Sequence, residues 1–299
     1  MLRVRIVILV FALVLAALPA LAENRGAPAV DRANWRAGLG YAFAHQEGTI
    51  EQISFFPFFV VEAPERENHG IVIDVGGTLP LSHRFGVRGH LTGSVVDATI
   101  ESDLFSSDSQ EWIGVVTTGF ELFARERSQG NVSAGFEYTH SGQFNDSTDD
   151  DLHVFSARGD LDQYLDFEGI GAVDLNFGFR YFATYFRNLS DAPLDEYLLS
   201  VGPGFYPCDS VRVGAAYAAR FDELPSADQE EQLGRFEILW IPQPLGEGRF
   251  ALDLSFEGGE RESEFLGRTL RQDVYRAAVQ FTLLSHPVES TVQLIRERL

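Results

Sequence analysis

The chain has 299 residues, a formal net charge of −21 and a sequence pI near 4.6, and its 23 basic residues are all arginine. So acidic a chain carries no basic footprint for nucleic acid, and a single cysteine, Cys208, leaves no internal disulfide and no paired-cysteine metal or redox motif. Phe at 25 and Gly at 28 are high and suit a sheet with aromatic outer faces and tight turns.

Arg3 and Arg5 precede an unbroken apolar run over residues 6–18, and Ala20-Leu21-Ala22 follows Pro19. These are the parts of a secretory signal peptide, with cleavage expected after Ala22. The competing reading, a membrane anchor, needs a longer run than this one. Removing residues 1–22 takes the formal charge from −21 to −23. No cysteine stands at the cleavage point, which argues against a lipid-anchored lipoprotein. Beyond residue 22 no stretch approaches the roughly 18 apolar residues of a spanning helix. Residues 23–34 read as a polar leader in the periplasm.

From residue 35 onward, apolar and polar side chains alternate. The first greasy face is Trp35, Ala37, Leu39, Tyr41 and Phe43. Ile53, Phe55, Phe59 and Val61 follow, interrupted by Pro57, which cannot donate to a ladder and marks a bend, bulge or rim. Then come Ile71 to Val75 and Phe85 to Val95, the second with Arg88 and His90 on its other face. Trp112 to Leu122 and Val132 to Tyr138 continue the pattern, as does the segment around Phe155. The clearest case spans residues 169–187. Val173, Leu175, Phe177, Phe179, Tyr181 and Tyr185 share one face, with Asp174, Asn176 and Arg180 opposite. Period-2 alternation of this kind specifies a β-strand and not a helix. Four further strands follow, around Val201, Val213, Ile238 and Leu254, and the last clear one carries Tyr275 to Leu283.

Such strands belong either to a soluble sandwich or to a membrane barrel whose greasy face meets lipid. Mid-strand charges of both signs and aromatics near strand ends favour the barrel. The connections sort into long acidic ones (99–110, 142–151, 188–196, 222–232, 258–271) and short ones (127–130, 207–210, 242–248), as expected of outer loops and periplasmic turns. About 13 strand candidates must reduce to an even number. The expectation is all-β, one antiparallel transmembrane barrel of about 12 strands (alternatively 14) over residues 35–284. The N-terminal region is the place where the count errs, and residues 285–299 form a tail or last strand.

This pattern resembles the bacterial outer-membrane β-barrel class across nearly the whole chain. The resemblance implies the outer membrane as location, with its lipid, lipopolysaccharide and the barrel-assembly machinery as partners. Barrels of that class usually end in an aromatic residue, whereas this chain ends Arg298-Leu299.

Candidate site residues fall into three groups. Arg88, Glu137, Arg158, Asp160, Asp174, Arg180, Arg212, Arg220, Arg235, Glu237, Asp253, Glu257 and Arg276 occupy polar faces, where they line a pore or fill a narrow, mostly occluded barrel with ion pairs. His140 and Ser141 are similar in placement to the His and Ser of outer-membrane phospholipases and lipid A deacylases, where a His base activates a Ser. Here Gly142-Gln143 follows instead of the Asn of that pattern, and adjacent residues on a strand point to opposite faces. Asp149, Asp150 and Asp151 end a carboxylate-rich loop with oxygen ligands suited to Ca²⁺ but without EF-hand spacing. His83, His90 and His153 are too scattered for a metal site, and no cofactor is expected. The leading functional reading is a non-enzymatic barrel, a narrow channel or structural envelope protein. The alternatives are a lipid hydrolase using His140 and an exported soluble β-protein that binds a ligand.

Overall fold

The computed structural model describes residues 33–52, 59–62, 65–82, 85–101, 109–126, 130–143, 152–167, 171–186, 189–224, 227–242, 248–265 and 268–288. Thirteen strands occupy them: β1 (Asn34–Gln52), β2 (Phe59–Glu62), β3 (Glu65–Pro80), β4 (Phe85–Glu101), β5 (Ser109–Glu126), β6 (Gly130–Gln143), β7 (Leu152–Phe167), β8 (Gly171–Phe186), β9 (Leu189–Cys208), β10 (Val211–Leu224), β11 (Ala227–Trp240), β12 (Gly248–Phe265) and β13 (Arg268–Val288).

Each strand from β3 to β12 pairs antiparallel with the next, and β3 pairs with β1. The wall closes when β13 pairs with β1 from Arg36↔Leu284 to Gln52↔Arg268. Twelve strands form this meander barrel. The short β2 lies outside the count, since it pairs only with the extension of β1, from Thr49↔Glu62 to Gln52↔Phe59. This resolves the surplus candidate in the N-terminal region. Closure leaves no exposed sheet edge along the wall, which is the condition for placing a sheet in lipid.

One face of the twelve barrel strands is apolar and exposed along the belt. Ile71, Ile73 and Val75 on β3, Phe120 and Leu122 on β5, Phe136 on β6 and Phe281 on β13 are examples, with Phe136 at 63% and Phe281 at 62% exposure. Exposed side chains this large are costly in water and normal in hydrocarbon.

The structure extends the strands well past what alternation marked out. Residues 189–196, 222–224, 227–232 and 258–265 belong to strand ladders, and the β8–β9, β10–β11 and β12–β13 connections shrink to two residues each. In the β11–β12 ladder both faces are polar, with Glu230, Glu260 and Glu262 outward and Glu231 and Arg261 inward, so the pairing leaves no period-2 signature. A lipid-spanning strand needs about 9–11 residues. The strands of 14 to 21 residues therefore project beyond the apolar belt at one end. The end where β1 begins and β13 finishes is called the near end below, and the projecting one the far end.

Ile73 sits midway up the exposed belt. Ile73→Arg is expected to destabilise the barrel in lipid vesicles by about 2–4 kcal/mol. Glu262→Gln, in an exposed pair with Arg271 on the projecting ladder, should change stability by less than about 1 kcal/mol. Urea titration followed by tryptophan fluorescence measures both.

Candidate functional site

The inward face carries the charge. Arg88, Glu137, Arg158, Asp160, Asp174, Arg180, Arg212, Arg220, Arg235, Glu237, Asp253, Glu257 and Arg276 all stand on the side of their strands opposite the exposed apolar residues. Most of these side chains are gathered into three clusters.

The first cluster joins β4 to β7. Arg88 Nη1 donates to Glu121 Oε1 at 2.8 Å, and Arg158 donates to Glu121 Oε2 from Nη2 at 2.5 Å and from Nε at 3.0 Å. The third nitrogen of Arg158, Nη1, donates to Glu137 Oε1 at 2.7 Å, and Asp160 lies 3.7 Å from Arg158 Nε. Ser133 Oγ adds a donor to Glu121 at 3.3 Å. The Arg88 guanidinium rests 4.4 Å from the centre of the Phe123 ring.

The second cluster is centred on Asp174, which is 1% exposed. Arg212 grips it with two parallel bonds, Nε to Oδ2 at 2.8 Å and Nη2 to Oδ1 at 2.9 Å, and Tyr206 donates its hydroxyl to Oδ2 at 2.5 Å. Arg212 Nη1 reaches on to Glu237 at 3.1 Å. Three donors on one carboxylate satisfy the buried charge.

The third cluster lies toward the far end around Glu231, also 1% exposed. Arg276 donates to it at 2.9 Å and Arg261 at 3.4 Å, while Arg220 stands 3.8 Å away and pairs with Glu196. Arg276 and Arg235 also reach Glu257, at 3.3 and 3.7 Å, and Arg235 reaches Glu237 at 3.3 Å. Of the remaining positions, Arg180 faces Arg158 across the β7–β8 ladder, and Asp253 lies between Leu239 and Gln280.

Several of these pairs join strands that are not neighbours, and a glycine lies beneath three of the spans. Gly135 on β6 separates Glu121 from Arg158 in register, and a Cβ there would stand 2.5 Å from Glu121 Cβ. Gly204 on β9 lies between β8 and β10, and a Cβ there would collide with the Asp174 carboxylate and the Arg212 guanidinium. Gly119 on β5 plays the same part between His90 and Glu137, which approach to 3.6 Å. At these three places side chains on flanking strands meet over a middle strand that has no side chain of its own.

Alternation read the inward charges from their own strands but passed over Glu121, which stands between Phe120 and Leu122. It also missed Glu231 and Arg261, which fall in segments read as loops. Glu121 was open to the same parity rule that marked Arg88, its register partner.

Interior burial changes along the barrel axis. Toward the near end, Thr78, Arg88, Glu121, Phe123, Asn131, Tyr164, Tyr206, Leu239, Ile241, Ala251, Thr282 and Leu284 are all buried. Midway, the inward residues Ala42, Ala44, Thr92, Ser94, Glu137, Ser255, Glu257 and Ala278 are only half-buried. A cavity of about 370 Å³ opens there against β1, β3, β4, β12 and β13, lined by Ala42, Ala44, Gly70, Ser94, Glu257 and Arg276 among others.

His140 and Ser141 do not meet. His140 shares the outward face with Val116, its partner on β5, and its ring lies tilted 5.0 Å from that of His153, whose Nδ1 shares a 2.8 Å hydrogen bond with the Tyr138 hydroxyl. Ser141 lies on the inward face beside Val115. Asp149, Asp150 and Asp151 lie outside the described residues. Cys208 is exposed at the near-end terminus of β9, beside the turn to β10 and 3.4 Å from Ser210 Oγ.

Four outward tyrosines repeat one arrangement. The hydroxyls of Tyr41, Tyr138, Tyr181 and Tyr217 bond His69, His153, Asp195 and Gln232, at 2.6, 2.8, 2.7 and 3.0 Å. Each partner lies on the adjoining strand, diagonally toward the far end. An apolar ring below and a wet hydroxyl above is the arrangement of an interfacial aromatic girdle. Trp35 and Trp240 stand exposed at the near end of the belt.

Removing one member of a buried, shared ion pair strands the others. Glu121→Ala leaves Arg88 and Arg158 without their common carboxylate and is expected to cost about 3–5 kcal/mol. Gly204→Val should cost a comparable amount by driving Asp174 from Arg212, although it deletes no charge. Chemical unfolding of the refolded barrel tests both.

No protein-family model matches the chain, and no curated protein matches it. Among solved structures, an outer-membrane channel from Pseudomonas putida F1 is similar in fold, with a TM-score of 0.54 at 9% identity over 88% of this chain and 98% of that one. Looser likenesses are the transport unit of the autotransporter AIDA-I from Escherichia coli (TM-score 0.49, 6% identity, 91% of this chain and 97% of that one) and a FadL homologue from Pseudomonas aeruginosa (0.42, 8%, 85% and 90%). By its closed antiparallel wall and its likeness to the Pseudomonas putida channel, the chain has the fold of the bacterial outer-membrane β-barrels.

Proposed function

We propose that the chain is a non-enzymatic barrel of the bacterial outer membrane that forms a narrow channel, constricted at its near end and lined by paired charges. One observation carries this reading: the inward face is buried at the near end and only half-buried midway along β1, β3, β4, β12 and β13, before Ala98, Glu231, Leu233 and Val274 are buried again toward the far end. A ring of buried side chains that includes Tyr164, Tyr206, Leu239 and Leu284 gives way to a half-open middle with a cavity of about 370 Å³. Twelve strands stand between barrels of about 8, whose side chains fill the interior, and barrels of 16–18 that hold an open aqueous channel. The arginine and carboxylate rows offer a passing ion both signs of charge at close quarters. The P. putida protein is itself described as an outer-membrane channel, which agrees with this reading. His140 and Ser141 face opposite sides of the wall and give a lipid hydrolase no nucleophile–base pair at that position.

Planar-bilayer recording tests the proposal on the refolded chain, with lipid hydrolysis assayed on the same preparation. The expected result is small conductance steps, enlarged when the near-end ring is thinned by Tyr164→Ala. Large, open-porin steps in the parent chain, or no current in parent and variant alike, would overturn the channel reading. Lipid hydrolysis would overturn the non-enzymatic one.

A further inference from the structure

On the outward face, just beyond the tyrosine girdle, three ligand atoms from β1 and β3 come together. His45 Nδ1 lies 3.6 Å from Glu65 Oε1 and 3.5 Å from Glu67 Oε1, and one ligand atom from each of the three residues falls within 4.8 Å of the others. His69 Nε2 stands 3.9 Å from the other oxygen of Glu67. The register accounts for the gathering. His45 is directly opposite Glu67, and Glu65 and His69 flank Glu67 at two-residue steps on the same face.

We infer that His45, Glu65, Glu67 and His69 form a binding site for a first-row divalent transition-metal ion such as zinc. The separations of 3.5–3.9 Å are long for hydrogen bonds. They are close to the roughly 3.3 Å between donors that each sit about 2.0–2.1 Å from one tetrahedral ion. Two imidazoles with two carboxylates make a mixed nitrogen and oxygen set, which suits zinc and its neighbours and not the all-oxygen preference of calcium or magnesium. The orienting partner is present as well. Tyr41 Oη lies 2.6 Å from His69 Nδ1, and when that nitrogen carries the proton and donates to Tyr41, the lone pair of Nε2 is left for the metal.

The site lies where the wall forks. The paired β1–β3 ladder runs to Gln46↔Arg66, after which β1 takes β2 as its partner from Thr49↔Glu62 onward. A bound ion there ties β1 to β3 at the last rungs they share. It faces away from the lumen, so its occupancy is independent of conductance.

The test is isothermal titration of the refolded chain, purified without a polyhistidine tag, with zinc chloride and separately with calcium chloride. The expected result is one saturable zinc site per chain and much weaker calcium binding. His45→Ala and Glu67→Gln should each weaken zinc about 100-fold, and Tyr41→Phe about tenfold, in line with the 10- to 100-fold cost of losing an orienting partner. Glu260→Gln, on the outward face of β12, should leave it unchanged. Absence of saturable zinc binding, binding indifferent to His45 and Glu67, or calcium bound as tightly as zinc would overturn the inference. Should a variant fail to refold, cobalt substitution of the parent chain decides: tetrahedral visible bands support the site, and an octahedral aquo-ion spectrum sinks it.

Discussion

The inner wall depends on arginine–carboxylate pairs that cross a strand over a glycine. A charge withdrawn from water is tolerated only if paired and saturated with hydrogen bonds. Asp174 and Glu121 meet that condition through partners two strands away, Arg212 and Arg158. Both spans require the strand between to present no side chain, and Gly204 and Gly135 supply that. A glycine in a strand gives up side-chain packing and backbone entropy. Here the loss is offset by a stitch that binds three strands instead of two. Backbone pairing alone closes the ring, and the stitches fix the shape of its interior.

The outer wall answers a different solvent. Its exposed isoleucine, valine, leucine and phenylalanine side chains suit hydrocarbon, and the diagonal tyrosine bonds mark the level where hydrocarbon ends. Above that level β11 and β12 continue as a polar ladder with acidic faces, as at Glu230, Glu260 and Glu262. The formal charge of −21 is thus spread along strands as well as loops. The inferred metal site lies at this change of solvent, where carboxylates first replace aromatic rings on β1 and β3.

Alternation made the barrel legible because one face of each strand had to be greasy and the other wet. Residues 173–185 show this without help from any other part of the chain. Where both faces are wet the rule falls silent, so 222–232 and 258–271 read as loops although their ladders are continuous, and Glu231 and Arg261 were lost with them. The glycine spans could not be read from one strand, because each depends on the register of three. The same is true of His45 with Glu65 and Glu67, which are some twenty residues apart in the chain and adjacent only by pairing. His140 and Ser141 were legible in the opposite sense. Neighbours on a strand face apart, and these two do.

The central claim is that apolar side chains face lipid while the paired charges face an enclosed polar interior. Single-cysteine scanning along β8, in a Cys208→Ser background reconstituted in vesicles, tests it most directly. Fluorophores at positions 175, 177 and 179 should be quenched by brominated lipid, and those at 176, 178 and 180 should not. Quenching without a two-residue period, or strongest at the even positions, would contradict the account.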